Sequence, residues 1–210
     1  GDAAGIGPEI IVKALYCAGL RDFCAPVVIG DRAVMEEAIS LLNLPMKLRI
    51  INSSDDELKT DKGIIELIDM GEIKKFEKGK SAAENGKACV SYIKKAVEFA
   101  LNKKVDGIVT APISKEALKL AGFKWPGHTE MLAELTDTKD YAMMLLGGNL
   151  RVILVTIHTS LKSVPEMIKK EGVLKTILLA KKACDMLDIK NPKIAVAGLN
   201  PHAGEAGIFG

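Results

Sequence analysis

Short apolar runs alternate with longer amphipathic segments along the 210-residue chain. The short runs are bounded by turn-forming residues and predict buried strands, while the 3.6-residue period of the longer segments predicts helices. Strands that alternate with helices favour an α/β fold with a mainly parallel sheet and helices on both faces. The predicted strands are residues 25–30, 47–51, 64–70, 105–110, 141–146, 151–157 and 193–197, and the predicted helices are residues 8–20, 31–42, 81–101, 114–121, 129–135, 164–170 and 173–187.

Turn and cap residues indicate where several of these elements begin and end. Pro8 and Glu9 are typical of a helix start, and Asp31 is a good N-cap for the helix after the first strand. Residues 147–149, Gly-Gly-Asn, lie between two apolar runs and predict a hairpin, which would make the sheet mixed. The polar residues 52–62 predict a loop.

The order of the elements also suggests a division into domains. Regular strand–helix alternation gives way to the predicted hairpin after about residue 120, so we divide the chain into domains 1–122 and 123–210. The chain opens on a glycine-rich loop and stops shortly after another one. Because such loops need flanking elements to hold them, we expect this sequence to be part of a longer chain.

Composition narrows the classes of function. Hydrophobic residues make up 48% and charged residues 27%, which is typical of a soluble globular protein. The net charge of +2 gives no electrostatic case for a nucleic-acid or membrane partner. The four cysteines are scattered, which predicts reduced thiols in a cytoplasmic protein. A small-molecule ligand is therefore the expected partner.

The sequence contains only three histidines, and each lies at the end of a predicted element. His158 ends a predicted strand, His202 follows the last predicted strand, and His128 precedes a predicted helix. The carboxyl ends of strands form the ligand crevice of open α/β sheets, so histidines distant in sequence can converge there. One interpretation is that each is a surface loop residue. The other is that neutral imidazoles bind a divalent metal or a substrate.

Two further segments join a turn to a helix start. The glycine-rich residues 1–9 could hold a phosphate at the following helix, but their spacing matches neither the dinucleotide fingerprint nor the P-loop. Tight-turn packing explains them equally well. In residues 110–115, Ser114 is predicted to cap a helix. Lys115 beside it is either an anion-binding lysine or a solvated one.

Taken together, the motifs closely resemble the 4-hydroxythreonine-4-phosphate dehydrogenase family. The matching segments occur in the family's order: GDAAGIGPE at 1–9, TAPISK at 110–115, GHTE at 127–130, TIH at 156–158 and GLNPHAGE at 198–205. The residue after Asp2 is usually proline in the family and is Ala3 here. That difference resembles the branch that acts on four-carbon sugar-acid phosphates, the D-threonate and D-erythronate 4-phosphate dehydrogenases.

The resemblance implies an isocitrate/isopropylmalate-dehydrogenase-like fold with two domains around a cleft, incomplete at the C-terminus here, and a homodimer with the site at the subunit interface. His158 and His202 would bind one divalent metal ion (Zn, Co or Mg). His128 and Thr129 would contact the phosphorylated substrate, with Lys115 as a further phosphate donor. The family's third metal histidine and most of its NAD-binding segment would lie after residue 210, so the sequence assigns no cofactor-binding or catalytic residue.

The implied reaction is the NAD-dependent oxidation and decarboxylation of a phosphorylated four-carbon hydroxy acid such as 4-phosphohydroxy-L-threonine, a step of pyridoxine biosynthesis. NADP could replace NAD. Three alternatives stay open at this point. The first is a D-threonate or D-erythronate 4-phosphate dehydrogenase, the second an acyl-phosphate transferase of similar fold, and the third an inactive fragment.

Overall fold

The computed structural model describes residues 1–17, 19–53 and 63–209. Its strands are β1 (Val27–Gly30), β2 (Lys47–Ile50), β3 (Ile64–Asp69), β4 (Met144–Gly147) and β5 (Leu150–Ile153). Its α-helices are α1 (Gly7–Tyr16), α2 (Arg32–Leu42), α3 (Ala83–Leu101), α4 (Lys115–Leu120), α5 (His128–Leu135), α6 (Val164–Met167) and α7 (Lys170–Met186). Short 3₁₀ helices span Leu20–Asp22, Leu161–Ser163 and Pro201–Gly207. The chain divides into two compact units, Gly1–Asp137 and Thr138–Gly210.

The first unit is built on a three-stranded parallel sheet. The strand order is β1-β3-β2, and both neighbours of β3 run parallel to it. The fold class predicted from the alternation of strands and helices is therefore confirmed. Glu66, buried on β3, pairs with Arg49 of β2 at 2.7 Å, and the two residues are also register partners. A buried carboxylate requires such a partner, so this pair favours one register of the sheet.

Helices cover both faces of this sheet. Ile65 and Leu67 of β3 pack toward α1 and α2, and Ile68 packs on the other face against Phe99 of α3. This alternation follows from the two-residue period of a strand. The larger cluster comprises Val12, Leu15, Val28, Met35, Ala38, Met46, Ile65 and Leu67. Both faces of β3 are buried, and four of its six residues are apolar, the exceptions being Glu66 and the last residue Asp69.

The second unit contains the predicted hairpin and a long helix. β4 and β5 are antiparallel, with Met144 opposite Ile153, and the turn lies at residues 148–149. Lys175 of α7 pairs with Asp140 at 2.5 Å and donates to the Lys139 carbonyl, which ties this helix to the segment before β4. None of the helices among the described residues is both long and apolar enough to cross a membrane.

Two of the predicted strands are wrong, and the predicted strand 151–157 extends four residues too far. Residues 105–110 and 193–197 form no strand, and β5 ends at Ile153 instead of Ile157. The apolar pattern of these segments is real, since Val105 and Ile108 pack against the clusters on α3. A strand also needs a hydrogen-bonded neighbour, however, and these segments have none in either sheet of the described residues. Of the predicted 52–62 loop, residues 54–62 lie outside the described residues.

The edge of β1 borders an apolar cavity of about 360 Å³. Residues 27–29 of β1 form one wall, and residues 105 and 107–111 form another. The remaining lining comes from α1, α3 and residues 1, 20, 24 and 26. The segment predicted as a strand thus lines the same cavity as the unpaired edge of β1. The cavity lies between the two helical layers, where a sheet strand would lie in an α/β protein.

The close approach of α3 and α4 depends on Gly86. A Cβ atom on Gly86 would lie 2.2 Å from the Ala117 carbonyl oxygen and 2.9 Å from the Ala121 Cβ. Such contacts with backbone cannot be relieved by a side-chain rotation, so the helices would have to separate. This position therefore requires glycine although glycine is a poor helix former.

We expect Gly86→Ala to destabilise the first unit by at least about 2–3 kcal/mol, because the added methyl group meets backbone. Gly172→Ala is the matched control, since Gly172 is also helical and a Cβ there meets nothing within 4 Å. The control should stabilise α7 by about 0.5–1 kcal/mol, the ordinary gain of alanine over glycine. Urea unfolding followed by far-UV circular dichroism measures both effects. Equal effects of the two substitutions would contradict the packing argument.

Candidate functional site

The glycine-rich loop before α1 is held by hydrogen bonds to two neighbouring segments and by the Asp2 side chain. The Asp2 N–H donates to the Pro112 carbonyl at 2.8 Å, and the buried Asp2 carboxylate accepts from the Ala4 N–H at 3.1 Å. The Ala4 carbonyl accepts from the Gly79 N–H at 2.8 Å. These bonds tie the loop to the segments before α4 and α3. Tight packing therefore accounts for much of this motif.

The first turn of α1 carries the carboxylate of Glu9, which lies where a bound phosphate would need free N–H donors. Glu9 accepts a hydrogen bond from the Lys78 ammonium at 2.8 Å, and Lys78 also lies 3.5 Å from Glu37 of α2. Burial alone would raise the pKa of Glu9, but Lys78 and the backbone N–H of Glu9 outweigh it and hold the pKa below its usual value. A negative charge already compensates this helix start. The phosphate interpretation of residues 1–9 is correspondingly weakened.

Asp31 occupies the predicted N-cap position of α2, but its side chain makes no cap hydrogen bond. It is buried, and its carboxylate accepts from the backbone N–H groups of Glu72 and Ile73 at 2.9 and 2.8 Å. The Tyr92 hydroxyl of α3 donates to the same carboxylate at 2.5 Å. Burial and this bond raise the pKa of Tyr92. The predicted local role of Asp31 is thus replaced by a long-range one, because three donors distant in sequence reach it.

A small cavity lies beside Asp31 at the carboxyl end of β1. It is lined by the glycine-rich loop, Gly30, Tyr92 and Ala111, and its volume is about 30 Å³. A water molecule fits in such a space. A phosphorylated substrate does not, so this cavity is no candidate for the main ligand site of the first unit.

The segments around α4 and α5 contain three of the predicted ligand residues, Lys115, His128 and Thr129. Ser114 caps α4 as predicted, accepting from the Ala117 N–H at 3.1 Å. Lys115 follows it at the first residue of α4 and is exposed. Thr129 lies half-buried in the first turn of α5. Leu118 of α4 and Met131 of α5 belong to one core cluster on α3, so both helices pack on the same part of the unit.

His128 is the first residue of α5 and is half-buried. Its Nε2 atom is buried and has no hydrogen-bond partner. Gly127 at the N-cap position offers no side chain to the first-turn N–H groups of α5. Burial lowers the pKa of His128 below its usual 6.5, so the imidazole is neutral at pH 7. When it carries the ring proton, an unpaired buried nitrogen beside an uncapped helix start can donate a hydrogen bond to an anionic ligand.

The other two histidines lie in the second unit in unusual backbone conformations. His158 lies beyond the end of β5 rather than directly after a strand, has φ of 48° and is exposed. His202 lies in the 3₁₀ segment, where φ is positive from His202 to Ala206. Its Nε2 lies 4.0 Å from the Glu205 carboxylate, beyond hydrogen-bond reach. The prediction that both histidines follow the ends of strands is wrong, because β5 ends at Ile153 and residues 193–197 form no strand.

The donor type of His158 and His202 fits a divalent metal ion. Both imidazoles are exposed, and 72% of the His202 side chain is accessible. Among residues 1–17, 19–53 and 63–209, no group of three or more His, Cys, Asp or Glu side chains is placed to hold a metal ion. Two imidazoles alone leave a tetrahedral site incomplete. A shared metal site for these two histidines therefore stays a prediction.

Known proteins resemble the chain over its whole length. It is 43% identical to a 4-hydroxythreonine-4-phosphate dehydrogenase of Trichlorobacter lovleyi and covers 63% of that protein. It is also 43% identical to a protein of Oceanobacillus iheyensis, of which it covers 64% and which is provisionally named D-threonate 4-phosphate dehydrogenase. The crystal structure of a 4-hydroxythreonine-4-phosphate dehydrogenase from Burkholderia phymatum matches with a TM-score of 0.89 and 43% identity, and the chain covers 64% of it.

The chain is thus an α/β protein, and the relatives and solved structures that it resembles are named as dehydrogenases. The sequence pattern of one family, the pyridoxal phosphate biosynthetic protein PdxA, matches residues 22–210. The chain belongs to this family. The predicted resemblance is thereby confirmed. The chain spans less than two thirds of the length of the relatives it matches.

The sequence analysis did not predict the hydrogen bond between Tyr92 and Asp31. A tyrosine on the buried face of a helix indicates a polar tip that needs a partner, and that signal was available. Tyr92→Phe should destabilise the first unit by about 1–2 kcal/mol, because Asp31 stays buried with one donor fewer. Tyr16→Phe is the control, because Tyr16 is exposed at the end of α1, and it should change stability by less than about 0.5 kcal/mol.

The pH dependence gives a second check on the same bond. Because the folded-state pKa of Tyr92 is raised, stability should fall as the pH rises above the unfolded value of 10.0. Tyr92→Phe should lack this part of the alkaline loss, while Tyr16→Phe should keep it. Urea unfolding at pH 8 and at about pH 10.5, just above the ordinary tyrosine pKa, measures the difference. An unchanged alkaline loss in Tyr92→Phe would reject the Asp31–Tyr92 interaction.

Proposed function

We propose that the protein serves the NAD-dependent, divalent-metal-dependent oxidation, with decarboxylation, of a phosphorylated four-carbon hydroxy acid such as 4-phosphohydroxy-L-threonine. NADP is the alternative cofactor. Membership of the PdxA family supports this reaction class. The observation that carries it within the chain is His128, with its unpartnered buried Nε2 at the uncapped start of α5. The reaction would belong to pyridoxine biosynthesis.

His128, Thr129 and Lys115 are the proposed substrate-binding residues. The neutral His128 ring and the Thr129 hydroxyl each donate one hydrogen bond, and the first-turn N–H groups of α5 add oriented donors. Lys115 contributes a positive charge at the first residue of α4, where the helix dipole disfavours it. A dianionic phosphate would offset that cost. The three residues would thus bind and orient the phosphate end of the substrate.

His158 and His202 are the proposed metal ligands. Their imidazoles suit zinc or cobalt, and magnesium with further oxygen ligands is the alternative. When bound, the metal would lower the pKa of the substrate alcohol and polarise the new carbonyl, and NAD would accept the hydride. Residues of this chain would hold the phosphate and provide two of the metal ligands. No residue of the chain is assigned to proton transfer or to NAD.

A D-threonate or D-erythronate 4-phosphate dehydrogenase is the second candidate. Ala3, in place of the proline usual in the family, and the provisional name of the Oceanobacillus relative both favour it. The two substrates differ at C2, where one carries an amine and the other a hydroxyl. Comparing their turnover by one enzyme preparation separates the candidates.

The domain division 1–122 and 123–210 also stays a proposal, beside the contact-defined units that meet at residues 137 and 138. We further propose a cytoplasmic homodimer with the site at the subunit interface, acting on small molecules and not on nucleic acid or membranes. Exposed apolar side chains on the hairpin of the second unit support an interface between copies. These are Leu145, Leu146 and Leu150.

Phosphate should raise the pKa of His128, because a nearby anion favours the imidazolium form. In the free protein His128 should titrate below 6.5, and the stability it contributes should be present above that pH and lost below it. NMR titration of the three histidines with and without the phosphorylated hydroxy acid measures this. The same titration of His128→Ala, which lacks the responding ring, assigns the His128 signal. A His128 titration that the ligand leaves unchanged would argue against the substrate site.

Zinc(II), which is diamagnetic, should shift the NMR signals of His158 and His202 together, and leave those of His128 unchanged. The binding should be weak, because two imidazoles do not complete the coordination of the metal. Replacing His202 with alanine should abolish the response of His158 as well, whereas His128→Ala should preserve it. Independent responses of His158 and His202, each unaffected by loss of the other, would reject the shared site.

A further inference from the structure

We propose that Glu134 is a positioning residue for His128, acting through Trp125. This inference rests on the proposed function of His128 in substrate binding. Glu134 lies exposed near the end of α5, and its carboxylate accepts a hydrogen bond from the Trp125 indole N–H at 2.8 Å. The bond joins the loop before α5 to the opposite end of the same helix. Only Pro126 and Gly127 separate Trp125 from His128.

The indole ring is already fixed on its other side. Trp125 stacks on Phe123, with ring centroids 5.3 Å apart and planes inclined by 17°. Both rings pack against the core cluster that includes Leu118 of α4 and Met131 of α5. Stacking fixes the plane of the indole, and the bond to Glu134 fixes the direction of its N–H within that plane. Together they define the path of the loop into His128.

The residues between Trp125 and His128 explain why this anchor matters. Pro126 has a restricted φ, whereas Gly127 has no side chain and sits at the N-cap position without a side-chain hydrogen bond. Without the Trp125–Glu134 bond, rotation at Gly127 could redirect the loop. No hydrogen bond at Nε2 holds the ring of His128, so the path of the backbone that enters His128 contributes to its orientation.

Loss of the Trp125–Glu134 bond should affect ligand affinity and the free energy of unfolding to different extents. The Trp125–Glu134 bond is solvent-exposed, so its loss should lower the free energy of unfolding only slightly. Ligand binding is more sensitive, because donors must meet the ligand oxygens within a few tenths of an ångström. A positioning role thus predicts a larger effect on affinity than on stability. A purely structural role predicts the reverse.

The test compares Glu134→Leu with Glu134→Gln and with Glu116→Leu, an exposed glutamate of α4. Trp125 is the only tryptophan of the chain, so intrinsic fluorescence reports on this loop directly. Glu134→Leu should shift the emission and increase acrylamide quenching. Glu134→Gln, whose amide oxygen still accepts the indole N–H, should behave like the unmodified protein, and so should Glu116→Leu.

Affinity for inorganic phosphate is read from the His128 NMR signal. We expect Glu134→Leu to weaken it about tenfold, which corresponds to about 1.4 kcal/mol, and Glu134→Gln to restore it to within about twofold. Altered fluorescence with unchanged affinity would overturn the positioning role and leave the His128 site intact. Unchanged fluorescence in Glu134→Leu would overturn the Trp125 contact itself. No His128 response to phosphate in the unmodified protein would instead overturn the proposed function, and with it the ligand part of this inference.

Discussion

The first unit depends on one buried carboxylate. Asp31 lies at the carboxyl end of β1, where burial without partners would cost several kcal/mol. Its donors come from the backbone after β3 and from Tyr92 of α3, so the carboxylate is satisfied only when strand, loop and helix are all in place. This requirement couples the two faces of the sheet. Burial of the apolar clusters provides most of the stabilisation. Asp31 favours one arrangement of strand, loop and helix, because only that arrangement supplies all of its donors.

A sequence prediction is correct here where the feature depends only on residues that are near in the chain. Ser114 caps α4 as predicted, because a cap needs only the next turn of the helix. The strands β1 to β3 are also predicted correctly, since each has a neighbour within the same segment of chain. Residues 105–110 and 193–197 have equally apolar patterns but form no strand. Pattern alone reports burial on one face and does not report whether a hydrogen-bonded partner exists.

The difference between local signals and tertiary contacts also applies to the candidate site. The sequence singles out His128 at a helix start, and α5 does begin there. It does not reveal that the Nε2 atom is buried without a partner, because that depends on how α3, α4 and α5 pack. Nor does it reveal the Trp125–Glu134 bond, whose residues lie on either side of the motif. Motifs identify the residue types of a site, whereas tertiary packing sets their burial and orientation.

The backbone separates the three histidines into two kinds. His128 lies in a regular helix, where burial of the ring favours the neutral form. His158 and His202 instead have φ of 48° and 53°, and the residues from His202 to Ala206 all have positive φ. Left-handed backbone costs about 1–2 kcal/mol for each residue with a side chain. Such conformations persist where tertiary contacts or ligands over-determine them, and they cluster at functional sites. The second unit therefore has strained backbone at the two histidines that we propose as metal ligands, while the proposed role of His128 follows from its burial at a helix start.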